Sequence, residues 1–473
     1  MTLQSLSYFV ALGALWLIAL PLRDRRYRQL LLLAASYLFY ASWGLNFLAL
    51  LIASSLLNFF WGRVLRRCLS AGCLWTGVAF NVGLLAVFKY LPPLAPALPA
   101  RSALGQMLHM VVMPVGISFW TFQALSYLFD VYREEELDPS LTEFCLYMSF
   151  WPTVLSGPVC RLPDMLPQFR ESLAPTWEDV SIGAHRLAVG LFMKLVLSGV
   201  LGDGLLAGQG VTYGFDQLTA GWGGLDVWFL AIGYGFQLFF DFAGYSHIAI
   251  GSARLFGIRL AENFDRPYLS TTPSVFWTRW HMSLSFWIRD YVFLPLAMLR
   301  REIWWRNMAL ALSMVVFGIW HGATALFILW GAYHGVLLVL HRQVQALRKR
   351  WRVKIAPRLD SLVSWAITFP AVCLGWVFFR AHNLHQAALM LKAIANPRSY
   401  LHIALRPDFF VVTFVVIVAY FAYNGIVAAL RRFGETPELE RFMWLVSPLY
   451  YATSLILVII WSRQESLFVY FQF

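Results

Sequence analysis

The sequence is poor in charge. Asp, Glu, Lys and Arg make up only 13% of its 473 residues, against 59% hydrophobic ones. A soluble body of this length needs a far more charged surface to stay in water. No long polar stretch is present that would fold as a separate soluble domain. One membrane-embedded domain over residues 1–473 is therefore the expected organisation. The cysteines Cys68, Cys73, Cys145, Cys160 and Cys373 form no CxxC pair and no metal spacing, and read as small core or lipid-facing residues. HExxH, a Gly-rich phosphate loop and a GxSxG elbow are also missing, so the histidines do not read as a zinc site and no metal is expected. The first apolar run, Leu6 to Leu22, has neither a basic leader nor a small-residue cleavage site, and is expected to be a retained helix.

What the chain does have is apolar runs long enough to cross a hydrocarbon core of about 30 Å, recurring from end to end. The formal net charge is +12, but its arginines sit in short clusters between those runs: Arg23 to Arg28, Arg63 to Arg67, Arg342 to Arg358, Arg431 and Arg432. That is the positive-inside pattern with an added attraction to anionic lipid headgroups, rather than a nucleic-acid surface. Two runs overshoot a bilayer as single helices at about 1.5 Å per residue. Leu30 to Gly62 is flanked by arginines at both ends and offers a break at Trp43-Gly44-Leu45-Asn46; Met308 to Leu340 offers one at His321-Gly322. Both read as helical hairpins with their outer ends in the cytoplasm, which sets His321 deep in the membrane or toward its outer face. Parity then carries Ser361–Phe379, Phe409–Leu430 and Met443–Trp461 across in turn. The expectation is an all-α polytopic protein of about ten to twelve spans with both termini extracytoplasmic.

The stretch from Glu262 to Arg306 fits no span. It mixes Arg266, Arg279, Arg289, Arg300, Arg301 and Arg306 with Trp277, Trp280, Trp287, Trp304 and Trp305, and Pro267 and Pro273 divide it. Such mixing predicts short helices lying in the cytoplasmic interface or re-entering a protein-lined cavity. His281 lies on this segment. A histidine buried in a membrane is a candidate for chemistry, because desolvation keeps its imidazole neutral and basic; His321 and His281 are both weighed against simple helix packing. His334 reads as packing, and His185, His341, His382, His385 and His402 as solvated surface. Asp241, beside Ala243-Gly244 after an apolar run, reads as a residue that opens a turn and caps a helix or holds a basic partner. From the residues alone, transport and catalysis are both open.

Several segments taken in order resemble the membrane-bound O-acyltransferase family. They are Met113-Pro114-Val115-Gly116-Ile117-Ser118-Phe119 through Asp130-Val131-Tyr132-Arg133, Ser156-Gly157-Pro158, Asp241-Phe242-Ala243-Gly244-Tyr245-Ser246, and Glu262-Asn263-Phe264 through Pro267-Tyr268. Arg279-Trp280-His281-Met282-Ser283-Leu284-Ser285, Arg289-Asp290-Tyr291 and Trp320-His321-Gly322 complete the set. Within the family the chain looks most like the bacterial alginate O-acetyltransferase branch and its relatives acting on cellulose or peptidoglycan. It departs from the alginate-type pattern at His247, where Asp is usual, and at Pro295 to Arg300, where a Gly-Gly-Asn-Arg stretch is usual.

The resemblance implies a ring of helices around a thin central region, in a bacterial inner membrane. It implies transfer of an acetyl group from cytoplasmic acetyl-CoA, a substrate rather than a bound cofactor, to an extracytoplasmic polysaccharide. His321 matches the family's essential histidine and His281 its second one. Arg279 and Arg289 are candidates for the CoA phosphates, with interfacial anchoring as their equal alternative. Tyr470, in the tail Phe468-Val469-Tyr470-Phe471-Gln472-Phe473, is a candidate acyl relay to a separate, SGNH-like extracytoplasmic transferase, or else an aromatic anchor. D-alanyl-type transfer to teichoic acid and a non-catalytic transporter are the competing readings.

Overall fold

In the computed structural model, the structure describes all residues except 99–101, 172–174, 205–209, 219, 353–354, 434–436 and 462–473. Among the described residues the secondary structure is helical, and eight helices are long and apolar enough to cross a membrane. They are Leu45–Cys68, Ala71–Tyr90, Trp177–Asp203, Gly224–Arg254, Ile303–His321, Ala325–Arg350, Pro357–Arg380 and Pro407–Leu430. Leu6–Ala19, Leu384–Ala395 and Leu449–Trp461 are shorter apolar helices. The chain is a multi-pass membrane protein. It forms two compact units, each assembled from separate stretches: residues 1–187, 245–262 and 286–292 in one, and 188–244, 263–285 and 293–473 in the other.

The first unit contains the earlier hairpin, Arg25–Ala41 and Leu45–Cys68. The Asp24 side chain starts it by accepting hydrogen bonds from the Arg26 and Tyr27 N–H groups at 2.7 and 3.4 Å. The break falls where expected, at Gly44, whose φ of +148° is one that L side chains rarely adopt. Arg66 and Arg67 occupy the last turn of the second helix, complementing its carbonyl end. Asn58 on that helix and Asn81 on Ala71–Leu85 exchange hydrogen bonds at 3.1 and 2.8 Å, which satisfies two buried amides that lipid could not. Ile117–Tyr132 is buried on nearly every face. The buried acids of this unit have partners: Glu143 pairs with Arg25 and Arg170, Asp179 pairs with Arg254, and the Asp130 carboxylate accepts from the Tyr291 hydroxyl at 2.6 Å.

The second unit contains the later hairpin, Ile303–His321 and Ala325–Arg350, broken at Gly322 as the length argument predicts. Glycines let its two backbones meet. A Cβ on Gly318 would lie 2.1 Å from the Phe327 carbonyl oxygen, and one on Gly331 would lie 2.3 Å from that of Met314. Gly335 follows one turn later, against Ala311. Small residues at this spacing are how membrane helices gain contact where lipid supplies no hydrophobic drive.

The stretch from Glu262 to Arg306 is broken into short helices, as expected. Pro267–Leu269, Pro273–Trp277, Met282–Ile288, Arg289–Phe293 and Leu294–Met298 are all short, and Pro267 and Pro273 each occupy a first helical position. One expectation needs correcting. Asp241 opens no turn, because the helix runs without interruption from Gly224 to Arg254. The other reading, a basic partner, is what the structure shows: Asp241 is ion-paired in mid-helix with Lys194, both side chains almost fully buried. Gly244 does not break the helix; it admits the backbone of the partner segment, its Cβ position lying 2.8 Å from the Gly190 carbonyl oxygen.

Candidate functional site

His321 is the last residue of its helix and is 4% exposed. The following Gly322 leaves the helix in an extended conformation, so the imidazole stands at the point where the backbone turns back. Five rings enclose it. Phe317 and Trp320, from its own helix, have centroids 5.4 and 4.8 Å away. Phe327 and Trp330 of the returning helix lie at 6.0 and 5.1 Å, and Phe379 of Pro357–Arg380 at 4.9 Å. Phe317 and Phe327 stack nearly parallel to the imidazole, while Trp330 and Phe379 meet it edge to face. The glycine contacts that bring Ile303–His321 against Ala325–Arg350 are what set Trp330 against His321. Rings packed in this way fix the orientation of a base and limit water around it.

His281 is held by a different device. It is 1% exposed and has a φ of +42°, a left-handed conformation uncommon outside glycine, between Pro273–Trp277 and Met282–Ile288. Asn263 supports it. The Asn263 carbonyl accepts from the Met282 N–H at 2.8 Å, and its side-chain Oδ1 accepts from the Ser283 N–H at 3.3 Å and the Ser283 hydroxyl at 2.9 Å. The His281 Nδ1 lies 3.0 Å from the same Oδ1. An amide oxygen only accepts, so Nδ1 carries the ring proton and Nε2 presents its lone pair. Burial pushes the His281 pKa down from 6.5 to about 3, which keeps the ring neutral at physiological pH.

Trp320 joins the two histidines, with its ring 4.8 Å from His321 and 6.2 Å from His281. On the other side, Phe242 meets His281 edge to face at 4.6 Å. Trp330 in turn touches His334, at 5.0 Å, and Trp277 does so at 5.1 Å. The expected site residues His281 and His321 are thus gathered around one aromatic cluster. His334, expected only to pack, is completely buried in the same cluster, with Nε2 only 2.7 Å from where a Cβ on Gly375 would be.

The expected phosphate-binding arginines are placed differently. Arg279 is half-buried, and its carbonyl accepts from the Asp265 N–H at 3.0 Å. Arg289 belongs to the first unit. Its Nε and Nη2 reach the Asp290 carboxylate at 2.6 and 3.1 Å, and its guanidinium lies over the Phe286 ring. Tyr470 lies outside the described residues.

Sequence reasoning quoted Asn263 without giving it a role, and it missed Lys194. The only signal for Lys194 was a single charge in the apolar stretch between Arg186 and Asp203; such a charge needs a buried partner. The hydrogen bond that Asn263 accepts from a histidine eighteen positions along carries no local sequence signal. Among the described residues, no group of three or more His, Cys, Asp or Glu side chains that could hold a metal ion comes together.

Comparison with known proteins extends these observations. The model of the membrane-bound O-acyltransferase family matches residues 94–381. The chain is 35% identical over 434 residues to the probable alginate O-acetylase of Pseudomonas putida, covering 88% of this chain and 86% of that one. It is 31% identical over 402 residues to the peptidoglycan O-acetyltransferase of Helicobacter pylori, covering 78% of this chain and 74% of that one. The teichoic acid D-alanyltransferase of Bacillus subtilis is 31% identical over 293 residues, 59% of this chain and 71% of that one. The matched region spans both histidines and most of the helices around them, and the chain belongs to the membrane-bound O-acyltransferase family, acyltransferases embedded in the membrane.

Proposed function

We propose that this chain is an O-acetyltransferase that takes an acetyl group from cytoplasmic acetyl-CoA and delivers it across the membrane for O-acetylation of an extracytoplasmic polysaccharide. The observation that carries the reading is His321: a buried imidazole at a helix end, boxed by rings that hold its orientation and keep water away. The likeness to an alginate O-acetylase over 88% of the chain supports acetyl as the group and a polysaccharide hydroxyl as the ultimate acceptor.

In the proposed reaction an incoming hydroxyl attacks the thioester carbonyl carbon while His321 removes its proton. The new C–O bond forms as the C–S bond breaks, and the proton passes from His321 to the departing thiolate, giving free CoA. General-base assistance of this kind contributes about 10²–10⁴ in rate. His281, with Nε2 as its lone-pair nitrogen, orients the donor or assists His321. Arg279 and Arg289 attract the CoA phosphates; for Arg289 this requires leaving the Asp290 carboxylate that now binds it. Tyr470 accepts the acetyl group and passes it to a separate, SGNH-like extracytoplasmic transferase. Outer ends of the chain on the extracytoplasmic side of a bacterial inner membrane fit that hand-over.

The test uses purified protein in nanodiscs with radiolabelled acetyl-CoA, comparing wild type with His321→Ala and Tyr470→Phe. Thioester cleavage that depends on His321 supports the enzyme, and label on the protein that is lost in folded Tyr470→Phe supports the relay. Cleavage unaffected by His321→Ala in folded protein overturns the assignment of the base. Substitution of a D-alanyl thioester for acetyl-CoA separates the two acyl groups.

A further inference from the structure

An open groove of about 750 Å³ lies at the foot of the histidine hairpin, at the ends of the helices remote from His321. Its size is within the roughly 300–1,000 Å³ typical of small-molecule sites. Arg300 and Arg301 line it from the link that precedes Ile303–His321, Arg306 from the first turn of that helix, and Arg342 from the last third of Ala325–Arg350. Among the described residues none of the four pairs with a carboxylate. The Arg300 guanidinium lies over the Trp305 ring at 5.2 Å, Arg306 donates to the Arg301 carbonyl at 2.8 Å, and Arg342 lies over the Phe293 ring at 5.6 Å. Glu302, the nearest acid in sequence, is exposed and makes no cap hydrogen bond with its side chain. Like charges therefore converge at this end of the hairpin, and no carboxylate among the described residues pairs with them.

The rest of the lining is apolar. Phe293, Leu294, Met298 and Ile303 share the groove, with Met298 81% and Ile303 74% exposed. Trp304 and Trp305 beside it are residues of the type that sits at the headgroup level of a bilayer. A ligand matching both halves carries phosphate at one end and hydrocarbon at the other. A soluble nucleotide phosphate answers the arginines but leaves the exposed Met298 and Ile303 uncovered.

We propose that this groove is a binding site for an anionic phospholipid, whose phosphate bridges Arg306 and Arg342 while its acyl chains cover Met298 and Ile303. Bound there, the lipid ties the two helices of the hairpin together at the end opposite the catalytic histidine. Each arginine near a membrane surface adds about fivefold in affinity for anionic lipid, so removing two weakens binding by roughly 30-fold. Because a ligand of the folded state stabilises it by mass action, the site is readable as a thermal shift.

The experiment measures unfolding temperature of the full chain in neutral detergent with added phosphatidylglycerol, phosphatidylcholine, CoA or inorganic phosphate. It compares wild type with Arg306→Gln/Arg342→Gln and with Arg300→Gln/Arg301→Gln. Native mass spectrometry of the wild type counts phosphatidylglycerol molecules retained through delipidation, which keeps the test valid if a variant folds poorly. Expected are a saturable shift with phosphatidylglycerol alone, its loss in Arg306→Gln/Arg342→Gln, a partial loss in Arg300→Gln/Arg301→Gln, and retained lipid in the wild type. Equal shifts with both lipids, or an unchanged shift in Arg306→Gln/Arg342→Gln, overturn the proposal. A shift produced by CoA or phosphate through the same arginines, without one from phosphatidylglycerol, overturns it in favour of a soluble phosphate ligand.

Discussion

The two hairpins follow from one argument about length and charge, yet they differ in how they are held. Arg25–Ala41 and Leu45–Cys68 are tied mainly to other elements of their unit. Asn58 bonds Asn81, the Gln29 side chain donates to the Phe169 carbonyl at 2.8 Å, and Arg25 reaches Glu143. Ile303–His321 and Ala325–Arg350 are held against each other, backbone to backbone, through Gly318, Gly331 and Gly335. Polar anchoring leaves a hairpin whose position is set by its neighbours. Glycine contact makes a hairpin whose own two helices are a fixed pair, and that is the hairpin with a histidine at its tip.

The largest effect that distinguishes them comes from the tip itself. His321→Ala is expected to lower acetyl transfer by about 10²–10⁴ with folding preserved, measured as thioester cleavage. The corresponding change in the earlier hairpin, Gly44→Ala, is expected to cost stability through its positive φ while leaving cleavage per folded molecule unchanged. Next in size is Asn263→Ala. It frees the His281 Nδ1 proton from its acceptor and leaves a buried donor unsatisfied, worth about 1–3 kcal/mol, so turnover falls by roughly 5- to 150-fold. Asn263→Asp, which keeps the acceptor, is expected to recover part of the turnover; equal loss in both variants would argue for a purely structural Asn263.

Gly331→Ala sharpens the contrast in packing. The new methyl group would meet the Met314 carbonyl oxygen, and overpacking of this kind costs about 1–3 kcal/mol. Gly83→Ala in Ala71–Leu85 meets nothing within 4 Å and is expected to be neutral or stabilising by about 0.4–1 kcal/mol. Thermal unfolding of the two variants side by side checks the difference.

The smallest expected effect is one of pH. Burial alone would raise the Glu143 pKa, but hydrogen bonds from Arg170 and the Ser140 N–H outweigh it and hold the carboxyl at about 2, against 4.5 ordinarily. A depressed carboxylate pKa contributes stability that is fully present above pH 4.5 and lost as pH falls toward 2. In Glu143→Gln, the acid limb of a stability–pH curve is therefore expected to flatten over that window. An unchanged limb would mean other carboxylates carry it.

Much of the architecture was legible because it rests on quantities that add along the chain. Helix length against bilayer thickness required a break in each overlong run, and the glycines Gly44 and Gly322 stand at both breaks. Pro267 and Pro273 divided the stretch from Glu262 to Arg306 where they were expected to. Asp241 was misread as the start of a turn because a Gly nearby in an apolar context signals either a turn or a close approach. Only the neighbouring helix shows which, and here it brings Gly190 against Gly244 and Lys194 against Asp241.

The sequence by itself determined that the chain crosses a membrane repeatedly and where its hairpins break, and it singled out His281 and His321 as candidates for chemistry. These follow from hydropathy, length, charge clusters and ordered motifs, which are properties of neighbours along the chain. Only the tertiary structure decided that Asn263 sets the proton on His281, that Trp320 stands against both histidines, and that Arg342 joins Arg300, Arg301 and Arg306 around one groove. Each depends on side chains far apart in sequence meeting through packing, and no local pattern encodes the distance between two such groups.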